Sequence, residues 1–154
     1  MKGFRLFFIF SVLAIYSFGA GIMDSLAIYH SWRFVGETEF AQVHKETGDR
    51  IITFFVLPLL VCTILAVFLL WRRPAHLPKS LLWMAITCLA VAWISSAFIQ
   101  IPIQFQLDKG KDVMLLNKLL DTDWIRIIAY VAFFGVVIAM LWQVYAKPLA
   151  TVSK

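Results

Sequence analysis

Hydrophobic positions along this chain gather into four long runs, and the polar positions are pushed into the segments between them. Phe4 to Met23 holds no charge beyond Arg5, and Ile51 to Trp71 runs between Arg50 and the Arg72-Arg73 pair. Leu81 to Gln104 is uncharged after Lys79, and Ile127 to Tyr145 lies between Arg126 and Lys147. About 20 apolar residues at 1.5 Å each cross a hydrocarbon layer of about 30 Å, so every run is long enough to span. The alternation of a barrel strand is missing, and an unpaired strand edge would have no water to bond to in hydrocarbon. The pattern predicts an all-α, polytopic membrane protein, a single domain over residues 1–154. We expect a four-transmembrane-helix bundle with spans at about 4–23, 51–71, 81–104 and 127–145.

Composition narrows the class further. Of 154 residues, 62% are hydrophobic and only 15% charged, where a water-facing surface normally uses charge for about a quarter of the chain. A cytosolic enzyme and a disordered tail are excluded, and two cysteines are too few for a disulfide-rich secreted module. The start, Met1-Lys2-Gly3-Phe4-Arg5 with Ser17-Phe18-Gly19 after the apolar stretch, has the layout of a secretory signal peptide. We read it as a retained helix.

Sorting the charges by side gives an orientation. Lys2, Arg5, Arg72, Arg73, Lys79, Lys147 and Lys154 fall at one set of helix ends with no acid among them. The other seven Lys and Arg share the first and third loops with all nine acids, so the net +5 splits as +7 and −2. Basic residues flanking spans stay on the cytoplasmic side, which predicts a multi-pass protein of the cell membrane with both termini cytoplasmic. The surplus charge is scattered over helix ends and forms no phosphate-binding stripe, so a nucleic-acid partner is not expected. Trp71, Trp83, Trp142 and Tyr145 would mark the inner interface, and Trp32, Trp124 and Tyr29 the outer one, with Trp93 in mid-span.

The outer connections are long for a minimal bundle, and such loops are usually functional or disordered. Residues 37–50 place Phe40, Val43, His44 and Thr47 at helical spacing, predicting a helix or an extension of the second span, with a break at Gly48 open. Val113, Leu116, Leu119 and Leu120 give an amphipathic segment that lies in the interface or caps the bundle. Asp121-Thr122-Asp123 would then start the last span, where acids suit a helix N-terminus.

Candidate chemistry sits in the same half. Ser96, Gln100 and Gln104 recur every four residues on the third span, and Pro102 frees the carbonyl of Phe98 and allows a kink. That face is either interhelical hydrogen bonding or a polar pocket opening outward. His30, His44 and Asp24 are weak metal candidates, because no His-x-x-x-His, Glu-x-x-His or Cys-x-x-Cys spacing accompanies them. Cys62 and Cys88 read as core filling. Trp124-Ile125-Arg126 combines a ring with a planar donor fork suited to a carboxylate or phosphate, but it is also the common pattern of a snorkelling arginine at a helix end. No phosphate loop, nucleophile elbow or haem attachment motif is present, and the cofactor is unknown.

Phe40-x-x-x-His44, Pro58, Gln100-Ile101-Pro102, Leu107-x-x-Gly110 and Asp123-Trp124-Ile125-Arg126 follow one another over roughly residues 10–145. In that order and spacing the chain resembles a bacterial family of small four-helix membrane proteins related to the anthrone-oxygenase-like group, most of whose members have no assigned function. The resemblance implies His44, Trp124 and Arg126 as site residues. It also implies a histidine two residues after the third-span proline and a glutamate four after the second-span one, where this chain has Gln104 and Cys62.

Three functional expectations follow. The first is an accessory or lipophilic-ligand-binding protein with an outer pocket bordered by His44, Gln100, Gln104, Trp124 and Arg126. The second is an oxidoreductase or oxygenase acting on a lipophilic aromatic or quinone-like substrate, with His44 as the catalytic candidate. The third is a structural subunit of a larger membrane complex. The expected partners are the lipid bilayer and either a lipophilic small molecule or a membrane protein.

Overall fold

Each apolar run is helical in the computed structural model, which describes residues 2–146, and each helix continues past its run. Lys147 and Lys154, counted above with the basic helix ends, lie outside the described residues. The four helices are α1 (Gly3–Phe34), α2 (Glu37–Arg72), α3 (Lys79–Leu107) and α4 (Val113–Tyr145), all apolar and long enough to cross a membrane. They contain 29 to 36 residues, which at 1.5 Å per residue is about 43–54 Å against a hydrocarbon core of about 30 Å. The chain is a multi-pass transmembrane four-helix bundle, and its excess length stands at one end. At the basic end α2 stops at Arg72 and α3 starts at Lys79, beside the ends of their apolar runs; at the opposite, acidic end the helices extend into a helical head.

Two apolar cores reflect this division. The larger packs Phe7, Phe10, Leu59, Leu89, Phe133 and Met140 along the span-length part, while Phe8, Phe54, Phe98 and Ile128 point outward and exposed. Outward apolar side chains need no burial when the surroundings are lipid. The head has its own core of Tyr29, Trp32, Phe40, Ile103, Leu107 and Leu116 with Leu119 and Leu120.

The segments at the acidic end are helical, but they are stacked on the spans rather than laid across them. Residues 37–50 run into α2 without a break at Gly48. The 113–120 segment forms the first turns of α4, so Asp121-Thr122-Asp123 lies inside a continuous helix and does not start one. The actual N-cap is Asp112, whose carboxylate accepts from the backbone N–H groups of Met114 (2.8 Å) and Leu115 (3.1 Å). Gly110 makes the preceding turn at φ 149°, a conformation open to glycine and little else. Lys111 then ties the two turns of the head together by donating to the carbonyls of Arg33 (2.9 Å) and Val35 (2.5 Å).

π-turns interrupt α1 at Asp24–Ile28, α2 at Ile52–Val56 and α3 at Ser96–Gln100. Two have a visible cause. Pro58 and Pro102 each fall in the first turn of the helix that resumes after the π-turn, where the missing N–H is least costly. Pro58 leaves the carbonyl of Phe54 without its usual donor, and the Tyr16 hydroxyl of α1 supplies one at 2.6 Å.

Candidate functional site

The boundary between the two cores is polar. Ser17, Asp24 and Ser25 on α1, Ser95 and Gln100 on α3, and Asp123 and Arg126 on α4 are all buried there. The residues come together because α1 and α4 continue as helices where their apolar runs end. Asp24 follows Met23 into the bundle, and Asp123 and Arg126, three apart on α4, share its inward face.

Arg126 is the centre of this layer. Only 4% of it is exposed, so it does not snorkel to the surface as the helix-end pattern suggested. Its Nε donates to Asp123 Oδ1 at 2.5 Å, and its Nη2 reaches the same oxygen and, at 3.6 Å, Asp24 Oδ2. The guanidinium also lies 5.2 Å from the centre of the Tyr29 ring. The layer sets two carboxyl groups against one guanidinium. Such a layer is costly in a membrane protein unless every group is matched, and here the match is incomplete. Ser17 Oγ, both oxygens of Asp24, Ser25 Oγ, Asp123 Oδ2 and Arg126 Nη2 are buried without an aligned hydrogen-bond partner. The three carboxylate oxygens among them can only accept, whereas the two serine hydroxyls both donate and accept, and Arg126, held between two acids, is not free to take an anionic headgroup.

Above the layer, rings carry the packing toward the tip. Tyr29 stacks on Trp32 at 4.9 Å, and the Trp32 ring centre lies 4.4 Å from that of His44, which is in turn 5.5 Å from Phe40. His44 is 2% exposed, and both its nitrogens are engaged: Nδ1 with Asp108 at 2.8 Å and Nε2 with Gln104 at 2.7 Å.

His44 and Gln104 thus meet in a closed cluster in the head, with Trp32 and Tyr29 between it and Arg126. Gln100 faces inward, accepting from Ser95 Oγ at 3.1 Å and donating to the Thr122 carbonyl at 3.5 Å. This is the interhelical-bonding alternative rather than the wall of an open pocket. Trp124 is 58% exposed on the outside of α4. Among the weak metal candidates His30 is exposed, His44 is committed to Asp108 and Gln104, and Asp24 faces Arg126. Among the described residues no three His, Cys, Asp or Glu side chains gather as metal ligands would.

A cleft of about 230 Å³ opens between α1 and α4 beside the layer. Ser25 and Asp123 form its buried back, Leu26, Leu120 and Ile127 its apolar wall, and Trp124, His30, Arg33 and Asp121 its rim. Asp123, Ser25 and Tyr29 were not singled out in the sequence as members of a site. The spacing of Asp123 and Arg126 held the signal, but it gained meaning only once α4 was known to start ten residues earlier. Compared with protein-family models, with curated proteins and with solved structures, the chain matches none.

Proposed function

We propose that this chain is an accessory, lipophilic-ligand-binding protein of the cell membrane, with the basic end and both termini cytoplasmic and the helical head outside. The charge split of +7 against −2 supports the orientation. The observation that carries the binding role is the α1–α4 cleft, whose back wall is built from Ser25 and Asp123, both buried and both with an oxygen lacking a partner. Apolar wall and polar back suit an amphiphile lying with its tail toward Ile127 and its polar end at Asp123. Because the unmatched Asp123 oxygen can only accept, the polar end facing it has to donate, as a hydroxyl, a phenol or an amine does. A quinone-like ligand would fit in its reduced, hydroxyl-bearing form.

The test is to purify the protein, exchange the detergent and identify retained lipophiles by mass spectrometry. One donor-headed amphiphile per chain, lost in Ser25→Leu, is expected; nothing retained by the wild type would overturn the reading.

The His44–Asp108 pair favours a second reading. A carboxylate on Nδ1 orients an imidazole as in general-base sites, and the family resemblance would make the protein an oxidoreductase or oxygenase of lipophilic aromatics. That role requires the head to open, since the ring is covered by Trp32 and Phe40. Turnover of an aromatic substrate that is unchanged in His44→Ala would remove it. The exposed Phe34 and Met114 at the tip are what a subunit of a larger complex would bury, and native purification with a stoichiometric partner would favour that role.

A further inference from the structure

At the basic end, independently of the cleft described above, a groove of about 340 Å³ runs between α2 and α3. Its deep part is apolar, with Val67 and Leu70 on α2 and Ile86 on α3; Trp71 and Trp83 flank its mouth, and Lys79 closes it. The order along each helix is the same, from aliphatic side chains toward the middle of the span, through an indole, to a cation at the helix end. Arg72, exposed, follows Trp71 directly. Neither Lys79 nor Arg72 has an ion-pair partner among the described residues. No acidic side chain falls at this end, because the acids all lie between Asp24 and Asp49 or between Asp108 and Asp123. Arg73 differs, since it is tied to the Leu77 carbonyl at 2.8 Å and so holds the short connection in place.

We infer that this groove is a binding site for one anionic phospholipid of the leaflet at the basic end, with its phosphate on Lys79 and Arg72 and an acyl chain between Val67 and Ile86. Charge complementarity selects the headgroup, since two unpaired cations beside a hydrocarbon surface attract an anion that arrives already anchored in that surface. Indoles on both sides of the mouth sit where the glycerol and carbonyl region of a lipid lies. The apolar floor distinguishes the site from a simple basic patch, which would attract any anion and hold no tail.

Native mass spectrometry of the full chain in detergent, titrated with dioleoylphosphatidylglycerol or dioleoylphosphatidylcholine, tests it. Phosphatidylglycerol is expected to bind in preference, with Lys79→Gln reducing its affinity about fivefold, the worth of one cation near such a headgroup. Arg5→Gln, which removes one charge from the same end at a residue that does not line the groove, should change it little. Ile86→Trp, which fills the floor, should lower retention of both lipids, and inorganic phosphate should fail to displace the bound lipid. Equal binding of the two lipids, an equal loss in Arg5→Gln and Lys79→Gln, or full displacement by phosphate would each overturn the site: the first denies headgroup selection, the second makes the attraction diffuse, and the third leaves the groove without a role.

Discussion

Taking the guanidinium away from Arg126 probes the buried layer most directly. In Arg126→Met the side chain keeps much of its volume, while Asp24 and Asp123, 1% and 2% exposed, lose their shared cation. At an effective dielectric constant of about 20, unit charges about 4 Å apart interact by about 4 kcal/mol. Arg126 makes two contacts of that kind, one direct and one at 3.6 Å. Much of this gain only offsets the desolvation of the three groups, so the net loss on removing one partner of a buried pair is about 3–5 kcal/mol. At about 2–4 °C per kcal/mol for a chain of this size, Tm should fall by about 6–20 °C. Cys62 is fully buried and free, so with the half-buried Cys88 replaced by alanine a thiol-reactive fluorogenic dye in detergent reports the unfolding. Asp24→Asn is the counterpart. It keeps the Arg126–Asp123 contact and adds a donor among unmatched acceptors, so stability should stay within about 1 kcal/mol of wild type or rise. If Arg126→Met were as stable as wild type, or Asp24→Asn as damaging as Arg126→Met, the account of the layer as two acids sharing one cation would be wrong.

Other consequences can be checked in the same preparation. Tyr16→Phe removes the donor to the Phe54 carbonyl and should cost about 0.6 kcal/mol, typical of such bonds in membranes; in a Pro58→Ala background, where the helix supplies its own N–H, the same change should cost nothing in a double-mutant cycle. A Cβ on Gly21 would stand 3.0 Å from the Tyr130 ring and 3.1 Å from Phe55, so Gly21→Ala should cost about 1 kcal/mol or more through overpacking. Gly19→Ala meets nothing within 4 Å and should stabilise α1 by about 0.5–1 kcal/mol. His44→Leu keeps a packed side chain but breaks the bonds to Asp108 and Gln104, and should cost about 1–3 kcal/mol by thermal unfolding. For orientation, with Cys62 and Cys88 replaced by alanine, Lys45→Cys should react with an impermeant maleimide on intact cells and Ala75→Cys should not; the reverse result would invert the proposed topology.

The sequence by itself determined the class and the number of helices. Four runs of span length, with Arg5 the one charge inside them, leave no other solution, because backbone groups in hydrocarbon must bond within their own segment. It also determined that polarity collects at one end, since charges near helix ends are counted without knowing any contact. Where each helix stopped was decided elsewhere. Residues 24–34, 37–50 and 113–126 are too polar to read as membrane spans, so hydropathy ends the runs at Met23 and resumes them at Ile127, although the helices continue as a head with its own core. That one difference moved Asp24, Asp123 and Arg126 from loop and helix-end positions into the interior. Whether Arg126 reaches outward to water or inward to two carboxylates depends on which face of α4 meets α1, and no residue count carries that angle. Only packing sets it, and with it the separation of the His44 cluster from the cleft at Asp123 and Ser25.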